Sequence, residues 1–409
     1  MRDLFKKMNN KFISMLLIIL ALSGTARVYS QSGSSDYNPI QTVVPFLMIA
    51  PDSRSGGMGD AGVATSPDCF SQHWNNSKYA FIDGKGGVGI SYSPWLRALV
   101  PDINLAYISG YKRFDKKQVL SSSLLYSSLG DIPFTDDFGN LERNFTPTEF
   151  AFDLGYARLF SEHFSGGVAF RFIYSNLTGN TFSGNLATKP GTSIAADLSG
   201  YYKTGFKMGE KDGIFAAGFN FSNIGSKMTY TESKTPDFIP MDLRIGASGT
   251  VKLDNYNTIT LAVDLNKLLV PTPPIYYNVG DTLPSGQVVA SPKTYIRKGK
   301  DPNVAVPVAI FQSFVDAPGG LREELHEITE SIGAEYWYNN QFALRCGYFN
   351  ESASKGNRKY FTAGAGFRMH VFSLEISYLM PVTQNNPLAH TLRFSLSFDF
   401  NALRNVKRG

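Results

Sequence analysis

From residue 391 to residue 400 the chain reads TLRFSLSFDF. Leu392, Phe394, Leu396, Phe398 and Phe400 take one side of the alternation, and Thr391, Arg393, Ser395, Ser397 and Asp399 the other. Successive side chains of a strand point to opposite faces, so this segment predicts a strand with one apolar and one polar face. The alternation returns along the chain. Residues 148–160 set Phe150, Phe152, Leu154 and Tyr156 against Ala151, Asp153, Gly155 and Ala157, and 164–174 set Val168, Phe170, Phe172 and Tyr174 against Gly167, Ala169 and Arg171. Residues 258–266 set Ile259, Leu261, Val263 and Leu265 against Thr260, Ala262, Asp264 and Asn266, and 371–379 set Phe372, Leu374, Ile376 and Tyr378 against Ser373, Glu375 and Ser377. Weaker runs at 86–95, 103–113, 118–127, 192–203, 212–223, 240–252, 331–339, 341–350 and 358–368 bring the predicted strands to fourteen. Large apolar residues on one face and small or charged ones on the other, at about ten residues per strand, is the pattern of a transmembrane barrel with a polar lumen.

The connections support that count. Short turns at 114–117, 161–163, 204–211, 253–255, 339–341 and 369–371 alternate with longer loops at 96–102, 128–147, 176–191, 224–239, 267–330, 351–357 and 381–389. This is the asymmetry of periplasmic turns and outer loops. Tyr126, Tyr174 and Tyr378 fall at outer strand ends and Tyr156 at an inner one, as aromatic girdles would. The expected fold is all-β: a fourteen-stranded antiparallel barrel over residues 86–400, with a plug from 31–85 and a periplasmic tail from 401–409. The loop 267–330 is long enough to be functional. It predicts a short helix over 321–329, with Leu321, Leu325 and Ile328 at helical spacing as a candidate partner-binding face.

Residues 1–30 pair a basic start with an eleven-residue apolar run at 12–22, then small and polar residues. That is a secretory signal, and its apolar run is too short to span a bilayer. It also changes the meaning of the net charge of +5. Arg2, Lys6, Lys7, Lys11 and Arg27 oppose only Asp3 there, so a single positive charge belongs to the rest of the chain. Net charge thus offers no support for nucleic-acid binding. The two cysteines, Cys69 and Cys346, form no disulfide framework. Alternation points Cys346 outward, so both are expected as free thiols.

Residues 57–62 fit G-x-G-x-x-G, but no sustained helical period follows through 63–78, where Pro67 intervenes, and no repeated strand–helix–strand units appear. A dinucleotide site needs that context, so the expectation is a compact segment packed where side chains would not fit. His73, His163, His326, His370 and His390 form no local pair with one another or with a cysteine, which gives a metal site little support. No cofactor is expected. The chemistry with most content is a set of inward charges: Asp153, Arg171, Asp197, Asp242, Arg244, Asp264, Glu335, Arg345, Glu375 and Arg393. Buried charges must be paired, so a structural network is favoured over a selectivity ring.

Residues 52–64, DSRSGGMGDAGVA, resemble the hatch of FadL-like outer-membrane barrels through Arg54, Gly57, Met58, Gly59 and Gly62. With 71–75, which carry Trp74 and Asn75, and 38–52, 93–96, 100–105, 332–338 and 386–394, they resemble the PorV (LptO) family of the type IX secretion system across nearly the whole mature chain. One departure is Asn75-Asn76-Ser77, where that family usually has Asn-Pro-Ala. The resemblance implies a non-enzymatic outer-membrane protein that takes the C-terminal signal domain of cargo from the giant translocon barrel (Sov or SprA). It then delivers the cargo to an attachment complex of the PorU sortase, PorQ and PorZ, with lipid and lipopolysaccharide around the wall. Loops 224–239 and 267–330 are the expected cargo and translocon contacts. Two rivals stay open: a FadL-like transporter of hydrophobic solutes, and a lipopolysaccharide O-deacylase using His326 or His390.

Overall fold

The computed structural model describes residues 37–400 apart from 98–99, 101, 136–137, 180–181, 184–185, 232–234, 370 and 384–385. The signal region 1–30, the tail 401–409 and His370 therefore lie outside the described residues. Fourteen strands close into one barrel. They are β1 Gly86–Pro94, β2 Ile103–Arg113, β3 Gln118–Leu129, β4 Thr148–Leu159, β5 Phe164–Asn176, β6 Gly191–Met208 and β7 Lys211–Gly225. The rest are β8 Asp242–Lys252, β9 Asn257–Leu268, β10 Ile328–Tyr338, β11 Phe342–Asn350, β12 Lys359–Met369, β13 Phe372–Pro381 and β14 Leu392–Asp399. Each pairs antiparallel with the next, and β14 returns to β1 with Tyr92 opposite Phe394. A closed sheet leaves no unpaired edge, the condition for a sheet to cross a bilayer. Among the described residues no helix is long and apolar enough to cross a membrane.

The predicted alternation is the observed one. Phe152, Leu154, Val168, Phe170, Ile245 and Leu261 are exposed on the outer wall, while Asp153, Ala169, Arg171 and Ala262 are buried inside. Cys346 is exposed and Cys69 buried, both as free thiols. Two expectations need correcting. The turn expected at 204–211 is the two-residue link Gly209-Glu210, because β6 and β7 pair out to Met208 opposite Lys211. Lys203, Thr204, Lys207, Lys211 and Asp212 interrupt the apolar alternation there, so the segment reads as a turn. The helix expected over 321–329 stops at His326, and Ile328 is the first residue of β10, opposite Lys267. Ile328 thus joins the barrel wall and cannot share a helical face with Leu321 and Leu325.

Among the described residues before β1 lie two short helices, α1 Ser53–Gly56 and α2 Ser71–Trp74, with 3-10 turns at Pro45–Met48 and Asn76–Phe81. The longest connection carries α3 Val306–Gln312 and α4 Leu321–His326. An apolar cluster joins these regions: Val44, Phe46, Leu47 and Phe70 pack with Leu105, Tyr107, Ile173 and Met241 of the barrel or its rim and with Ala309 of α3.

Candidate functional site

Among the described residues before β1, most of 44–80 are buried, and the backbone explains how they fit against the wall. Asp52 caps α1 by accepting the Ser55 amide at 2.9 Å, and its other oxygen takes the Trp74 indole N–H at 2.6 Å. A cap of this kind satisfies one orphan amide of the first turn. Glycines then allow contact with the wall. Gly59 has φ +68°, a conformation that side chains rarely adopt. A Cβ added to Gly347 of β11 would lie 2.1 Å from the Gly59 nitrogen, and one on Gly62 would lie 2.3 Å from the Trp74 ring. Met58 is fully buried with Ala61 and Ala262, and Gly57 approaches the Gly364 backbone of β12.

Hydrogen bonds fasten this segment around the wall. Gly59 N–H donates to Thr362 Oγ1 at 2.8 Å, and Ser53 N–H to Ser395 Oγ at 2.8 Å. The Asp264 carboxylate accepts the amides of Gly62 and Val63 at 2.6 and 2.9 Å. Asn75 Nδ2 donates to the Gly200 carbonyl at 3.0 Å. Asn76, which stands where the resembled family has proline, donates to the carbonyls of Tyr156 and Val168 at 3.0 and 2.9 Å. Losing the proline therefore adds two bonds to β4 and β5.

The ten inward charges are all buried, but they do not form one ring. Glu335, directly across from Arg345 in the β10–β11 register, accepts Arg54 Nε and Nη2 at 2.9 and 2.8 Å and Arg345 Nε at 2.7 Å. Arg345 continues to Glu375 at 3.0 Å, and Arg54 to Asp68 at 2.8 Å. Separately, Arg171 pairs with its cross-strand neighbour Asp153 at 2.6 Å and with Asp197 at 3.1 Å. Arg244 pairs with Asp242 at 2.6 Å and lies 5.2 Å from the Trp74 ring centre. Arg393 stands over Gly56 and reaches Asp60 at 3.8 Å. Arg54 and Asp60 come from the inner segment and pair with Glu335 and Arg393 of the wall, while Asp68 pairs with Arg54 within the segment.

Two cavities of mixed apolar and charged lining sit at opposite ends of the barrel. One, of about 250 Å³, opens toward the long connections and is lined by Asp60, Trp74, Arg244, Glu351, Lys355 and Arg358 among others. The other, of about 430 Å³, opens toward the short turns beside Arg54, Asp68, Lys203, Trp337 and Arg368. The inner segment lines both.

Sequence reasoning missed the fastening of the long connection. Lys267 Nζ meets Glu324 and Glu327 at 3.0 and 2.6 Å, and Lys355 meets Glu323 and Glu327 at 2.6 and 3.0 Å. Glu324 also accepts the amides of Asp316 and Ala317. Burial pushes the Asp316 carboxyl up to about 6, against the Thr272 amide that favours its charge; Glu324 and Glu327 push the same way as burial. Leu321 and Leu325 are exposed. The sequence signals for this region were present but weak: apolar residues at 306–315 behind Pro307, and Glu at 323, 324 and 327.

A family model described as type IX secretion system protein PorV matches residues 32–275. The chain belongs to the PorV family. No curated protein matches it. Solved structures similar to it are FadL-like barrels. The toluene transporter TodX of Pseudomonas putida is 11% identical at TM-score 0.44, over 89% of this chain and 99% of that one. A FadL homologue of Pseudomonas aeruginosa is 11% identical at TM-score 0.41, over 89% and 99%. The toluene transporter TbuX of Ralstonia pickettii is 8% identical at TM-score 0.41, over 85% and 97%. A PorV-family barrel with an apolar outer wall is an outer-membrane protein of the type IX secretion system. Of the described histidines, His73 packs edge-on to Trp74, and His390 Nδ1 lies 3.1 Å from the Tyr378 hydroxyl.

Proposed function

We propose that this PorV-family barrel receives the C-terminal signal domain of exported cargo at the Sov/SprA translocon. It then carries that cargo to the attachment complex of PorU, PorQ and PorZ. The observation that carries this reading is the occupied lumen. Arg54, Gly59, Gly62, Asn75 and Asn76 are bonded to the wall all around the bore, and charged side chains stand in both end cavities. A route for hydrophobic solutes is poorly served by such an interior, so the work falls to the connections at the long-connection end. In this reading residues 31–85 are a plug, 1–30 an export signal that is removed, and 401–409 a periplasmic tail.

The test is mild-detergent purification of the tagged full-length chain from its native outer membrane, with mass spectrometry of what accompanies it. Translocon, sortase-complex proteins and cargo carrying C-terminal signal domains are expected. Recovery of lipopolysaccharide and unrelated porins alone would sink the reading.

A further inference from the structure

The long connection carries a surface of unusual construction. α3 turns Ala309 into the apolar cluster, with Val306 and Ile310 packed against it, and leaves Phe311 77% exposed. Phe314 and Val315 follow and are exposed, as are Leu321 and Leu325 of α4. The two helices are held as one piece, since the Glu324 carboxylate accepts the amides of Asp316 and Ala317 at 2.8 and 2.9 Å. A surface helix normally buries its apolar stripe. α4 does the reverse: it buries Glu324 and Glu327 against Lys267 and presents its leucines.

A basic edge borders these apolar groups. Arg297, Lys298 and Lys300 are exposed. Gly299 sits so close to the end of α3 that an added Cβ would lie 3.2 Å from the Asp316 carbonyl. Gln312 Nε2 donates to the Asp301 carbonyl at 2.9 Å, which keeps the basic strand beside α3. Below α4 the barrel ends on polar groups: Asn350 Nδ2 donates to Glu330 at 3.4 Å across the adjoining ends of β10 and β11.

We propose that this surface docks a protein partner whose own apolar face is bordered by Asp and Glu side chains. The inference rests on the reading that the chain holds proteins at its rim, and it adds the surface and the chemistry of what covers it. Aromatic anchors supply the buried centre of such contacts, and complementary charge at the edge sets the partner and the on-rate.

The experiment replaces Phe311 with the photocrosslinker p-benzoylphenylalanine in the full-length chain and irradiates native outer membranes. The expected product is a protein adduct whose crosslinked peptide is apolar and flanked by acidic residues. Combining Lys298→Glu with Lys300→Glu lowers its yield about tenfold, and so does Leu321→Ser with Leu325→Ser, while the barrel keeps its heat-modifiable migration on gels. Adducts with lipid or lipopolysaccharide only, with a second copy of this chain, or with nothing overturn the proposal, as does a protein adduct indifferent to charge reversal. The purification above fails or succeeds separately. Type IX components present without a protein adduct at Phe311 leave the function standing and remove this surface from it.

Discussion

The substitution Glu335→Gln isolates what holds the inner segment in place. Glu335 is buried and accepts three hydrogen bonds, two from Arg54 of the segment and one from Arg345 of the wall. Glutamine keeps the shape and removes the charge, leaving two buried guanidiniums with less compensation. Arg54 would retain Asp68 and the Ser66 carbonyl, and Arg345 would retain Glu375. Breaking a buried pair by removing one partner costs about 3–5 kcal/mol, and these residual contacts put the expected loss near the lower end, about 3 kcal/mol. That corresponds to roughly a hundredfold change in the equilibrium between docked and undocked segment. Hydrogen exchange in nanodiscs reads this directly, because the amides of Gly59, Gly62 and Val63 donate to Thr362 and Asp264 on the wall. Their protection should fall about a hundredfold while the strand amides keep theirs, since the ladder is independent of Glu335. Unchanged protection at those amides would refute the network as the fastening. Parallel loss across the strands would show that Glu335 supports the barrel and not the segment.

Three further outcomes follow from the same geometry. Gly347→Ala puts a methyl group 2.1 Å from the Gly59 nitrogen, so thermal unfolding should show destabilisation of about 1–3 kcal/mol, as overpacking does. Leu261→Arg places a charge on the exposed outer face of β9, and folding into bilayers should weaken by about 2–4 kcal/mol, against little effect in detergent. Asp316 has its folded value raised from 3.8 to about 6; stability from that group is complete below the unfolded value and lost as pH rises through about 6. Protection factors of the loop amides 306–327 should therefore be higher at pH 5 than at pH 7.5, and Asp316→Asn should flatten the difference.

The barrel was legible because its alternation is imposed by the geometry of one strand and needs no knowledge of neighbours. Asp153 and Arg171 fall inside by parity alone, and the antiparallel register then brings them together. The inner segment was legible only as a glycine pattern. What makes Gly59 and Gly62 necessary is the backbone of Tyr348 on the wall and the ring of Trp74 farther along the segment, neither of which a local pattern reveals. The long connection was the least legible. Lys267 and Glu327 are 60 residues apart, and Lys355 and Glu327 are 28 apart, so no local period announces them. Ile328 was misplaced for a related reason: a helical spacing that continues into a strand looks the same on either side of the boundary.

The choice of charged contacts for the inner segment is itself informative. Buried ion pairs add little net stability over apolar packing of the same volume, so the network is poorly explained as reinforcement of a barrel already closed by its ladder. Its distribution fits a different role. Glu335, Asp264 and Asp60 each join the segment to a group on a different part of the wall: Arg345 on β11, β9 itself, and Tyr360 on β12. An apolar plug could slide or turn within a smooth bore at small cost, whereas displacing this segment leaves buried wall charges such as Glu335 with fewer partners. The pairing therefore selects one seating of the segment. One seating also fixes the apolar cluster of Val44, Phe46 and Leu47 against Ala309, on which α3 rests. That chain of contacts connects the polar network in the lumen to the exposed surface on the long connection. Glu335→Gln should accordingly raise exchange in α3 as well as in the inner segment.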